Sequence, residues 1–200
     1  MTKKIFYILI FLIFNSLTYG DDSKSNRIEV LVNEDIITKY DIIQRMKINS
    51  ILNRLEISDE NYRMLLNAVI DDLIVEKLKN KKLTEYSINI NKDELRKHEN
   101  RFYTTLNFKK EELKELFSIN NVDYDYLLEF IEIELRWQKL IYALFLRVTS
   151  ITEQEVNDFI SKNPNINKEI ANEILIQKQL DIKSTKLVKD LRDEATIEYK

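Results

Sequence analysis

Glycine occurs once in the 200 residues, at Gly20, and proline once, at Pro164. A chain so poor in both has few routes to tight hairpins, left-handed turns or kinks. What suits it is a set of long helices punctuated by Asn, Asp and Ser. The same scarcity excludes whole classes of chemistry. A phosphate-cradling loop and a dinucleotide fingerprint both need glycines that let the backbone approach the ligand. A nucleophile elbow needs them for its strained turn. No nucleotide and no other cofactor is therefore expected, and no catalytic residue can be named.

The first twenty residues, MTKKIFYILIFLIFNSLTYG, place Lys3 and Lys4 before an apolar run from Ile5 to Phe14 and then small or polar residues. That is the layout of a secretory signal cleaved after Gly20. The run is about half the ~20 residues a spanning helix needs, so no stable membrane span is expected once the signal is removed. Cleavage would remove two lysines and no acid, leaving 29 basic against 34 acidic residues, a net charge of −5. Such a surface does not seek nucleic acid. The chain has no cysteine, so an exported form must be stable through packing rather than disulfides.

After the signal, RIEVLV carries branched apolar residues at Ile28, Val30, Leu31 and Val32, and NED turns into a second short strand at Ile36 and Ile37. Two strands alone are marginal in water. The closing TIEYK alternates Ile197 and Tyr199 with polar residues and supplies a third strand, so the chain ends should pair. Between them lies a mainly α, multi-helix domain. Helices are predicted over about 39–55 after Thr38, and from Ser58 to about Lys82. A third follows Asn91, and KKEELKELFS forms a short fourth. Another runs over about 123–147, and one more opens at TEQE. Two separate helices follow, KEIANEILIQKQL and TKLVKDLRDEA. SKNPNIN, residues 161–167, marks the one weak boundary. It divides a helical domain over 21–160 from C-terminal helices and a strand, 161–200, that dock back on it.

Few residues suggest chemistry. His98 is the only histidine and follows Glu94 by four, but two ligands make a poor metal site, and none is expected. Asp71 and Asp72 are adjacent on a helix and so point about 100° apart, away from any shared acid-base task. Aromatic residues are the better lead. The helix over 123–147 has too many large apolar side chains for one buried stripe, and it follows an aromatic segment. Some of Phe102, Tyr103, Phe108, Tyr126, Phe130, Trp137 and Tyr142 are expected to line an open apolar groove rather than the core.

The order of VLVNEDIIT, LLNAVIDDLIVEKLKNKKL, the capped NKDEL, LKELFSINNVDYDYLLEFIEIELRWQKLI and VTSITEQEVNDFI resembles the N-terminal domain of the SurA family of periplasmic chaperones, over about residues 27–160. The closing KLVKDLRDEATIEYK is similar to the helix and strand that follow the parvulin domain in that family. Only the glycine-free stretch from Ile151 to about Lys168 lies between, too short for a prolyl isomerase domain of roughly 90 residues. The resemblance implies an ATP-independent periplasmic holdase without isomerase activity. Unfolded outer-membrane polypeptides would be its clients, the outer-membrane assembly machinery a further partner, and the seven aromatics above the client contacts. The alternative is a helical adaptor that holds one folded partner in an envelope complex.

Overall fold

The structure, a computed structural model, describes residues 26–200; the expected signal over residues 1–20 lies outside the described residues. The apolar, branched segment at the start forms β1 (Ile28–Val32), which turns through Asn33 and Glu34 into the antiparallel β2 (Asp35–Thr38). The last residues form β3 (Ile197–Tyr199) on the other edge of β1, giving the order β2-β1-β3. Val30 stands opposite Tyr199 and Val32 opposite Ile197. The first and last strands therefore pair as their sequences suggest.

Seven helices lie between β2 and β3: α1 (Lys39–Asn53), α2 (Asp59–Thr84), α3 (Lys92–Thr105), α4 (Lys110–Ile119), α5 (Tyr124–Phe145), α6 (Glu153–Lys162) and α7 (Lys168–Glu194). Capping chemistry sets most of their starts. Thr38, Ser58, Asn91 and Thr152 each accept a hydrogen bond from the backbone three residues on, and the side chain there bonds back. Left-handed turns fall on Asn33, Arg54, Asn107 and Asn121, so asparagine takes three of the four places that glycine would otherwise fill. No helix among the described residues is long and apolar enough to cross a membrane.

Burial divides into three clusters. The first packs the sheet (Val30, Val32, Ile37) on α1 and α2, with Leu191, Ala195 and Ile197 closing it from the C-terminal end. The second joins the end of α1 to α3, α4 and the first half of α5 around Phe117, Leu127 and Ile131. The third sets the second half of α5, with Trp137, Leu140 and Ile141, against α7 at Leu180. Helix α6 packs along the beginning of α7, where Val156 and Ala171 are buried.

One expected break is absent. The last two helical stretches are a single helix of 27 residues, α7. The connecting Asp181, Ile182, Lys183 and Ser184 contain no breaker. Leu180 before them is fully buried, and Ser184 accepts a hydrogen bond from Trp137 Nε1 at 2.8 Å. Inward contacts on both sides of the polar stretch hold it helical.

Asn33 ties the two ends of the chain. Its backbone N–H donates to Thr196 O at 2.8 Å, and its Oδ1 accepts from the Thr196 N–H at 2.9 Å, while Asn33 itself has φ 54°. Asn33→Ala loses the side-chain bond and puts a Cβ without local compensation in the left-handed region. Thermal or denaturant unfolding should show it less stable by about 1–2 kcal/mol. Asn33→Gly, which keeps the turn and loses only the bond, should fall between Ala and wild type.

Candidate functional site

Helix α5 is covered by α2 and α7 on one flank and by α3 and α4 on the other. Between these flanks the row Phe130, Glu134, Gln138 and Tyr142, spaced four apart, runs along an open groove. Three adjoining clefts of about 320, 470 and 530 Å³ make up the groove. The first lies against α1 and α2, the second against α3, and the third between α3 and α7. Phe130 and Glu134 line the first two, and Arg101 and Gln138 line the second and third.

The seven aromatics divide sharply. Tyr103 (4% exposed), Phe108 (9%) and Trp137 (3%) are core residues and stand outside the three clefts of this groove. Each is held by a group remote in sequence. The Tyr103 hydroxyl meets that of Tyr124 at 2.6 Å, the Arg54 guanidinium lies 4.6 Å over the Phe108 ring, and Trp137 donates to Ser184 of the returning α7. Burial also lifts the Tyr103 phenol well above its ordinary range. Tyr126 is half-buried, packed edge-on against Tyr40 and donating to Asp41 Oδ1 at 2.6 Å; burial and that carboxylate raise its pKa as well. Phe102, Phe130 and Tyr142 remain on the groove. The first two are half-buried, and Tyr142 is 42% exposed, its hydroxyl donating to Gln177 Oε1 at 2.7 Å.

The groove also has a charged lining, which no sequence pattern above marks. Arg45 sits on the inward face of α1, 4% exposed, pairs with Glu76 of α2, and lies 4.8 Å over the Phe130 ring. Lys79 bridges α2 to Glu134 of α5 at 2.6 Å, and its Nζ stands 5.7 Å from the Trp137 ring. Lys139 reaches back to Glu94 at 3.0 Å, so Glu94 serves both as the α3 cap partner and as an ion-pair partner. Those hydrogen bonds, from the Asn91 backbone and then Lys139, hold its carboxyl below the ordinary carboxylate range. One signal for this lining stood in the sequence: Gln44 and Arg45 fall among Ile42, Ile43, Met46 and Ile48 on a helix that buries nearly all of them. Among the described residues no group of three or more potential ligands could hold a metal ion.

Two measurements check this lining. Glu76→Gln leaves Arg45 buried with half a partner and should lower stability by roughly 2–3 kcal/mol, whereas the double variant Arg45→Met with Glu76→Leu should recover most of that loss. His98, in the second cleft, titrates below its ordinary 6.5 because of burial and the neighbouring Arg101, against a weaker opposing pull from Glu134. The neutral imidazole thus belongs to the folded state. Its contribution is fully present above pH 6.5 and is lost as pH falls through the lower folded value. As His98 is the only histidine, the fall in melting temperature between pH 7 and pH 5 should be smaller in His98→Gln.

No family model matches the chain. Among curated proteins, the Chaperone SurA of Buchnera aphidicola subsp. Schizaphis graminum is 27% identical over 224 aligned residues, covering 98% of this chain and 50% of that protein. The chain thus spans about half the length of the curated relative it matches. The resemblance carried by the order of its segments extends over almost the whole sequence, and this chain is similar to chaperone SurA, folded as a mainly helical domain with a small antiparallel sheet.

Proposed function

We propose that the protein is an ATP-independent chaperone of the periplasm that holds unfolded outer-membrane polypeptides and has no prolyl isomerase activity. In this reading residues 21–160 form the chaperone domain and residues 161–200 brace it from the C-terminal side. The observation that carries the reading is the open groove over α5. It has apolar and aromatic side chains at Phe102, Phe130 and Tyr142, and ion pairs that are satisfied within the chain. The similarity to chaperone SurA supports the same reading. A passive holdase suits such a surface. Clients with alternating apolar and polar residues find contact area along an extended trough, and binding favours the unfolded state by mass action without an energy source. Internal ion pairs keep the groove from demanding one matching client sequence.

The test is suppression of aggregation of several unrelated porins diluted from urea. The protein should suppress each at near-stoichiometric ratio. Tyr142→Ser, at the most exposed ring of the groove, should cut suppression several-fold while shifting the melting temperature by only a few degrees. Turnover of a proline-containing peptide should stay at the uncatalysed rate. Retention of a single folded envelope protein, with no effect on any porin, would replace this reading with that of an adaptor.

A further inference from the structure

Charges along the groove are matched in pairs: Arg45 with Glu76, Lys79 with Glu134, Lys139 with Glu94. Asp72, at the α2 edge of the first cleft, receives a hydrogen bond from Asn49 at 3.5 Å. Arg101 is different. It lines both the second and third clefts, yet among the described residues it has no ion pair, hydrogen bond or ring contact. An exposed guanidinium without a carboxylate partner, on a wall whose other lysine and arginine cations are paired, is a site for an anion, and its planar fork fits a carboxylate.

The second cleft adds a condition. The same cavity of about 470 Å³ that Arg101 borders is floored by Phe102, Leu106, Phe130 and Ile131. An occupant that presents an apolar side chain beside a negative charge matches both features of this lining. An internal aromatic residue has no charge, and an internal acid has no apolar body. A C-terminal residue with an apolar side chain combines the two, since its free carboxylate stands on the same Cα.

We propose that the second cleft receives the C-terminal residue of an unfolded chain, its apolar side chain on Phe102 and Phe130 and its terminal carboxylate on Arg101, the preceding residues lying along α5. The inference rests on the holdase reading and adds a polarity to it: clients enter by their ends. Gln138, which borders both the second and the third cleft, offers amide groups to the backbone just upstream of the terminus.

Fluorescence anisotropy with three labelled decapeptides tests this. All are built of alternating Ser and Val and end in Phe: one is a free acid, one a C-terminal amide, and one an amide with Glu two residues before the end. The free acid should bind about tenfold more tightly than the plain amide, the scale of one charge-assisted hydrogen bond. Arg101→Gln should reduce that preference to less than twofold. Arg63→Gln, the same charge change at an exposed α2 residue outside the groove lining, should preserve it. Equal binding of acid and amide, no binding of either, a preference that survives Arg101→Gln, or a Glu-containing amide that binds as well as the acid would each overturn the proposal. The porin assay is independent of it: suppression that persists while acid and amide bind equally removes the end-specific site and leaves the holdase reading standing.

Discussion

Helix α5 must be buried on two flanks at once, and the rest of the molecule follows from how that is done. Its apolar residues are too numerous and too widely spread around the helix for one partner to cover. Leu127 and Ile131 go under α3 and α4, and Ile133, Trp137, Leu140 and Ile141 go under α2 and α7. The second group can be covered only if the chain returns from its far end, because α7 supplies Leu180, Leu187 and Ser184. That return brings Leu191, Ala195 and β3 to the N-terminal strands, where they complete the first cluster. Packing at α5 and pairing at β1 are thus two consequences of one path, and both couple the last thirty or so residues to the first.

Two flanking layers do not close over the helix between them. Helix α3 packs on one side of α5 and α7 on the other, and the row from Phe130 to Tyr142 is left in the gap. A gap of this kind in a small domain usually fills with apolar side chains. Here it is bordered by ion pairs that cross between helices, Arg45 with Glu76 and Lys79 with Glu134. Each is partly shielded and has an aromatic ring beside its cation, Phe130 for Arg45 and Trp137 for Lys79. The charges therefore tie α1 to α2 and α2 to α5 along one edge of the trough.

Much of the scaffold was legible because its signals are local. Thr38, Ser58, Asn91 and Thr152 announce their helices by side chains that need only the next three residues, and the structure has all four capping boxes. The strand at the C-terminus was readable from alternation. Failures came where a distant segment decides. The stretch from Asp181 to Ser184 looks like a link between helices until Trp137, 47 residues away, is seen to bind Ser184. The same holds for the aromatics. Spacing marked the helix over 123–147 as overloaded with apolar residues, but spacing could not tell Trp137, buried under α7, from Tyr142, which is 42% exposed on the third cleft and meets α7 through its hydroxyl on Gln177.

The polar half of the groove was illegible for a further reason. Charged residues on a helix read as a solvated face unless their partners are known, and the partners of Arg45 and Lys79 lie 31 and 55 residues away. Scarcity of glycine helps explain why such pairs matter here. Without glycine, the backbones of neighbouring helices have no Cα-only positions at which to approach closely, so the space between α1, α2 and α5 is set by side chains. Long paired side chains, Arg45 with Glu76 and Lys79 with Glu134, occupy that space and border the first cleft. The scarcity of glycine thereby bears on the groove as well as on the turns.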